Sequence, residues 1–490
     1  LFTAAWLGAL ALRRLVREGM FGDGLTYAAI ARNLAEGRGS VWAPFFSHSF
    51  WLPYDPGGVF YGHPPLQFWL QAGLFRLFGD SLYVEKAWCG LFIVLTALLL
   101  AWCWRLVPAD HPARGLDWLP ALVWFTFRTA EWASTQNLLD CTMSTFCLLA
   151  VWLLLEADGR PLARQLALDA LAGLALVGGL LTKGPVALHV LGVPFLVETL
   201  LHRRFPLGRM FRRTASSVAV VVTVGALLAQ HEPARQFFAQ YFRQQLVASL
   251  SGAREHAATL HAAGRFYIVQ LLVLNPLPAI AFGLVLRWAV KRWRASTPAP
   301  PELLRIVALG TGLALAASLP ITLSVKQYSH YLAPALPYAA LAVAAWLAPP
   351  LLRALAGTEA LTSHPRRVRL LGAATCLAVV LRAIRVAGEP FWNDRELITD
   401  VHALARQVPK HSNVGVCGDL MRNFAVHSYL QRYHRQELVA LNALPRFAIV
   451  DFTCNDQPEA FLDSHGYVPV VTPMTRFRLF EKREAFRFGR

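Results

Sequence analysis

Apolar runs long enough to cross a bilayer recur along most of this chain and stop near residue 386. A membrane-spanning helix needs about 20 apolar residues. Runs of this kind fall near 1–19, 82–106, 118–130, 136–156, 165–182, 185–201, 214–231, 266–287, 304–325, 331–349 and 368–386, which predicts about eleven spans. The first run opens on Leu1, so a truncated first span is expected, and no cleavable signal peptide is recognisable. The stretch 20–81 is too polar to span. Within it, Tyr27, Ile30, Ala31 and Leu34 repeat at the spacing of a one-sided helix that Gly37 and Gly39 end. A second helix is marked by Leu66, Trp69, Leu70, Gly73, Leu74 and Leu77, opened by Pro64 and Pro65. Both are expected to be amphipathic helices lying along a membrane surface.

Beyond residue 386 the period changes. NVGVCGD and FAIVDFTC read as short strands, LMRNFAVHSYLQRY and PEAFLDSHG as helices, and RFRLFEKR as a last strand. The expectation is an all-α polytopic membrane domain over 1–386 and a small extracytoplasmic α/β domain over 387–490. No internal repeat is visible.

Composition agrees with a membrane protein. Of 490 residues, 55% are hydrophobic and only 16% charged, against about a quarter charged in soluble domains. The net charge of +17 suggests nucleic acid. The basic residues, however, crowd short loops between apolar runs: Arg203, Arg204, Arg209, Arg212 and Arg213; Arg287, Lys291, Arg292, Arg294 and Arg305; Arg353, Arg366, Arg367 and Arg369. That pattern fixes orientation in a membrane, and nucleic-acid binding is rejected. These three loops then face the cytoplasm. The opposite face holds 20–81, the turns at 131–137, 183–184 and 326–330, the loop 232–265 and the tail. Five cysteines lie in or beside apolar runs, while Cys417 and Cys454 fall in the tail, where an oxidising compartment would let them pair.

The candidate chemistry collects on that outer face. Asp23 precedes a helix and suits an N-cap or a general base at the membrane surface. Asp140 sits near the start of an apolar span, where a carboxylate needs a cavity or a partner. Glu131 lies in a turn expected to be exposed. Lys183, in LLTKGPVAL, reads locally as an interfacial anchor beside a helix-breaking Gly-Pro. Lys326, Tyr328, His330 and Tyr331 gather at the top of a span, and suit an aromatic belt or a lipid phosphate. His63, Arg254, His256, His261 and Arg265 extend this basic set. A metal held by histidines with Asp23 or Asp140 is weakly supported, because the spacing is irregular.

Taken together, GDGLTYAAIARNLAEG, HPPLQFWLQAGLFRLFG, NLLDCTMSTFCLLAVWLLL, LLTKGPVAL and KQYSHYLAPALP resemble, in this order, the motifs of the polytopic glycosyltransferases that use polyprenyl-phosphate sugars. The resemblance is to bacterial aminoarabinose-transferase-like enzymes and the protein mannosyltransferase superfamily, and implies a GT-C-type fold. It places Asp23 at the first-loop catalytic Asp, as general base, and Asp140 at the second acidic position. His63, Lys183, Arg265, Lys326, Tyr328 and Tyr331 would sit near the donor phosphate. At Gly62 and His63 relatives carry an acidic residue followed by Lys, which here removes one metal ligand and one fixed cation.

The implied partners are a polyprenyl-phosphate-linked sugar, an envelope acceptor (lipid, glycan or protein) and the bilayer. No cofactor is required, since a lipid monophosphate need not call for a metal, and a divalent metal is only weakly supported. The expected place is the plasma or bacterial inner membrane, with the active site on its periplasmic face. A transporter or lipid flippase, and an inactive scaffold of the same fold, are the alternatives.

Overall fold

The structure is a computed structural model. It describes residues 1–48, 56–248, 264–293, 300–324, 326–356, 365–455 and 458–483. Arg254, His256 and His261 lie outside the described residues, as does the side chain of Arg265. The chain divides into two compact units: 1–15, 63–67 and 87–385 form the first, and 16–62, 68–86 and 386–490 the second. The first loop, expected with the membrane domain, thus shares a unit with the tail.

The first unit is helical. Among the described residues seven helices are long and apolar enough to cross a membrane: Val84–Leu106, Leu139–Glu156, Leu162–Lys183, Leu207–Gln230, Tyr267–Val290, Pro301–Leu323 and Leu336–Leu355. The chain is a multi-pass membrane protein. Of the other four expected runs, three form the shorter helices Phe2–Leu15, Leu119–Thr126 and Pro185–Leu201. The fourth forms Pro365–Arg385, whose arginines at both ends shorten its apolar centre.

Helix Leu139–Glu156 packs along Leu162–Lys183, which packs along Leu207–Gln230, while Pro301–Ser318 packs along Leu336–Leu355. Small residues permit two of these approaches. A Cβ on Gly173 would stand 2.7 Å from the Ser217 carbonyl, and one on Gly310 would stand 2.8 Å from the Tyr338 carbonyl.

Glu131, expected in an exposed turn, is 6% exposed. Its burial is tolerated because Arg13 and Arg14 both reach its Oε1, each at 3.0 Å.

In the second unit the tail forms a five-stranded sheet. Its strands are β3 (Asn413–Val416), β4 (Glu437–Ala440), β5 (Phe447–Val450), β6 (Tyr467–Val470) and β7 (Arg478–Lys482), in the order β4-β3-β5-β7-β6. Strands β1 (Gly39–Ser40) and β2 (Ala43–Pro44) make a separate hairpin in the first loop. The sheet pairs β3 in parallel with β4 and β5, then turns antiparallel through β7 and β6. Strand β6 carries Pro469, which an edge strand accommodates. Cys417 and Cys454 form a disulfide that ties the end of β3 to the loop after β5.

The first-loop helix spans Gly22–Ala35 and ends as its glycines predict, with Gly37 at φ +79°. It is not one-sided, however. Twelve of its 14 residues are buried, because its polar face also packs, onto the tail helix Phe424–His434. Thr26 and Ser428 share a hydroxyl hydrogen bond of 2.9 Å. The Arg32 guanidinium donates to the carbonyls of Gln431 and Arg432, at the helix end where a cation is favoured.

Arg432 reaches back, donating to Glu85 at 3.0 Å, to Asp80 at 2.7 Å and to the Ser81 carbonyl at 2.8 Å. The second helix, Leu66–Phe78, buries Phe68, Ala72 and Phe75. It leaves Trp69, Leu70, Leu77 and Phe78 exposed, an apolar stripe free to meet lipid.

Removing one partner of a buried ion pair leaves the other charge uncompensated, at roughly 3–5 kcal/mol. Arg432→Met is therefore expected to destabilise the second unit by about that amount, because Glu85 stays buried. Thermal unfolding of the purified protein measures this, and Arg446→Met, on an exposed pair, serves as the near-neutral control.

Candidate active site

Helix Leu139–Glu156 opens with Asp140 in its first turn, and helix Leu162–Lys183 closes on Lys183. The two run as an antiparallel hairpin, so both residues fall at the same end. There the Lys183 ammonium donates to the Asp140 carboxylate, with the two side chains 9% and 3% exposed. The lysine expected as an interfacial anchor is therefore a buried ion-pair partner.

Three local features hold this pair. Gly184 ends the helix at φ +85°, ψ −149°, and Pro185 starts the next turn. A Cβ at Gly184 would lie about 2.1 Å from the Tyr241 hydroxyl, which itself donates to the Lys183 carbonyl at 3.4 Å. On the other helix, Trp88 Nε1 donates to Thr142 at 3.1 Å and Thr96 bonds Thr145 at 2.8 Å. Just upstream, Asn137 takes φ +54°, and Gln67 donates 3.2 Å bonds to its carbonyl and side-chain oxygens. The His63–Gln67 segment is thereby fastened beside the Asp140 turn.

Aromatic and basic groups surround the pair. Lys183 Nζ lies 4.5 Å from the centre of the Tyr331 ring. His330 stacks on Tyr328 at 5.5 Å and meets Tyr331 edge-on at 4.9 Å. Lys326 Nζ lies 5.1 Å from the Tyr328 ring centre. Burial pushes the His330 imidazole down to about 4 despite the raising influence of Asp140, so it is neutral at physiological pH. The segment is held by Gln327, whose Oε1 accepts from Ile268 N at 3.0 Å and whose Nε2 donates to the Ser324 carbonyl at 3.1 Å.

The structure thus brings Asp140, Lys183, Tyr331, His330, Tyr328 and Lys326 into one cluster. His63 lies in the same unit, half-buried. Arg265 sits in the short turn Gly264–Phe266 of that unit. Asp23 belongs to the second unit. It is the second residue of its helix and half-buried, while Phe21 holds the N-cap position that Asp23 was expected to take. A carboxylate there still opposes the positive end of the helix dipole. Among the described residues no group of three or more His, Cys, Asp or Glu is arranged to hold a metal.

The Lys183-Gly184-Pro185 turn also borders an apolar cavity of ≈ 490 Å³. Leu181, Val224, Leu228, Phe238 and Tyr241 contribute to its wall, and Arg235 is among its few polar residues.

Comparison with solved structures places the whole architecture. The crystal structure of ArnT from Cupriavidus metallidurans bound to undecaprenyl phosphate superposes with a TM-score of 0.64 at 15% identity, covering 98% of this chain and 97% of that one. The chain has the ArnT fold. The apo state of the same ArnT gives a TM-score of 0.62 at 16% identity, over 97% of this chain and 95% of that one. No protein-family model and no curated protein matches the sequence. The fold agrees with the expected polytopic helical part followed by a small C-terminal α/β part.

Sequence reasoning left the Asp140–Lys183 pairing unread, together with the Gln67–Asn137 anchor. The legible signal is geometric. Asp140 begins one span and Lys183 ends the next, so a short connection must bring them level.

Gly184→Ala is expected to cost about 1–3 kcal/mol, from a methyl group at positive φ driven into Tyr241. Gly184→Ala with Tyr241→Phe should recover part of that loss. Thermal melts of the three proteins test this, and an unchanged midpoint for Gly184→Ala would contradict the described turn.

Proposed function

We propose that this protein is a membrane glycosyltransferase that moves a sugar from a polyprenyl-phosphate donor to an envelope acceptor (a lipid, a glycan or a protein), with inversion at the anomeric carbon. The observation carrying this reading is the pairing of two environments around one turn. Lys183 belongs to a cluster of cations and phenols, and the adjoining Gly184 and Pro185 line an apolar cavity. A lipid phosphate needs both: charge for its head and an apolar slot for its isoprenoid chain. Undecaprenyl phosphate, bound in the similar ArnT structure, is such a lipid.

The roles follow from where charge develops. As the glycosidic C–O bond breaks, the bonding electrons go to the lipid phosphate and the anomeric carbon becomes electron-poor. Lys183 and Lys326 stabilise the departing phosphate, with Tyr328 and Tyr331 as hydroxyl donors and His63 and Arg265 as further candidates. Neutral His330 can still donate a hydrogen bond but adds no charge. Asp140 holds Lys183 in place through their buried ion pair.

Asp23 is the proposed general base. It accepts the proton of the acceptor hydroxyl as that oxygen attacks the face opposite the leaving phosphate, which inverts the configuration. The disulfide between Cys417 and Cys454 supports a periplasmic tail, since such bonds persist in oxidising compartments.

The test offers a panel of polyprenyl-phosphate sugars, with envelope extract as acceptor, to purified wild type and Asp23→Asn. Mass spectrometry follows loss of donor and release of free lipid phosphate. Wild type is expected to consume one donor, and the variant to be slower by about 10²–10⁴-fold, the usual worth of a general base. Equal rates would remove Asp23 from that role. Absence of turnover by wild type across the panel, with flux of a lipid substrate instead, would replace the transferase by a flippase.

A further inference from the structure

A second polar cavity lies wholly within the second unit, built from the first loop and the edge of the tail sheet. Its volume is ≈ 360 Å³, and it is lined by Arg38, His48, His411, Asn413, Glu437 and Val439. Small-molecule sites commonly occupy roughly 300–1,000 Å³. We propose that this cavity binds a phosphorylated sugar, its phosphate on Arg38, His48 and His411 and its hydroxyls on Asn413 and Glu437.

The first argument is that the Arg38 guanidinium is held in place by ring contacts while its one carboxylate contact is loose. Arg38 leans on the Phe45 ring, its guanidinium carbon 5.0 Å from the ring centre, and the His48 ring packs on the same phenylalanine at 4.7 Å. Glu437 stands 3.8 Å from Arg38 Nη2, a loose contact. Arg38 Nη1 is buried with no hydrogen-bond partner among the described residues. Leaving such a donor unpaired costs about 1–3 kcal/mol, more when it is charged, so a bound anion would relieve a standing penalty.

The second argument is rigidity. Gly39, at φ +81°, is packed too closely against the Ala43 carbonyl and Phe45 to carry a side chain, which fixes the turn of the β1–β2 hairpin. Asn33 donates to the carbonyls of Phe45 and Phe46 at 3.1 and 3.0 Å, and Gln431 donates to the Phe46 carbonyl at 2.8 Å. On the other wall, Asn413 and Glu437 are direct partners in the parallel ladder of β3 and β4.

The third argument is backbone conformation. His411 holds φ +64°, unusual for a residue with a side chain, where it lines the cavity. Burial, with Arg38 and Arg435 nearby, lowers its pKa, as expected of an imidazole in a positive field that an anion would offset.

Isothermal titration of the full-length protein in detergent tests the proposal with glucose-6-phosphate, glucose and inorganic phosphate. It measures binding and not transfer, so its failure is distinct from failure of the transferase reading. Glucose-6-phosphate is expected to bind saturably and about tenfold more tightly than either fragment. Arg38→Gln and His411→Asn should each weaken it by about tenfold or more, with unchanged unfolding midpoints. Asparagine is chosen at 411 because it tolerates the left-handed conformation. Lys326→Gln should leave the affinity unchanged.

No saturable binding, or wild-type affinity in both cavity variants, would overturn the site. Inorganic phosphate binding as tightly as the sugar phosphate would overturn the sugar half of the proposal. Vesicles carrying phosphatidylinositol phosphate separate two sources of this shared chemistry. Displacement of glucose-6-phosphate identifies a lipid headgroup, and its retention identifies a soluble sugar phosphate.

Discussion

The buried ion pair of Asp140 and Lys183 is the constraint on which the membrane unit depends. Taking both charges out of water costs several kcal/mol each, and only close mutual contact offsets it. The two helices are therefore bound to one register, with the start of Leu139–Glu156 level with the end of Leu162–Lys183. That register constrains the surrounding chain. Gly184 must turn the chain at positive φ, Tyr241 must close over that turn, and Tyr331 must face the ammonium. Several of the features that suit a lipid phosphate are consequences of satisfying this one pair.

A different solution to the same problem organises the second unit. Arg32 and Arg432 are almost fully buried, yet each donates to groups on another part of the chain. Arg32, from the first loop, takes carbonyls at the end of the tail helix, while Arg432, from the tail helix, takes carboxylates before and within the first turn of Val84–Cys103. Burial pushes the Arg32 guanidinium down to about 9, still charged at neutral pH. These bonds explain why a stretch read as an amphipathic helix along a membrane surface is buried on nearly all sides. The segment after the hairpin is held separately, by Asn33 and Gln431 donating to the carbonyls of Phe45 and Phe46.

Local pattern carried much of the architecture. Seven of the expected runs coincide with long apolar helices, because a span is specified by the residues inside it. The helix break after Ala35 and the turn at Gly184 were readable for the same reason. Strands β4 and β6 were not. ELVA follows a helix within three residues, and YVPV carries a proline that only an edge position permits. The partners of Glu131 were unreadable because they lie 118 and 117 residues away, at 13 and 14, and charge alone does not name its counter-ion. Candidate residues could be gathered on one face by alternation of spans, but which of them touch is a property of packing.

The central claim is that the cation-and-phenol cluster recognises a phosphate on a lipid. Native mass spectrometry from detergent measures it directly, by comparing undecaprenyl phosphate with undecaprenol, the same chain without the charge. The account predicts that the phosphate form binds wild type at least about tenfold more tightly, and that Lys326→Gln narrows the gap. Equal retention of the two lipids would show that only the apolar slot is used, and would contradict it.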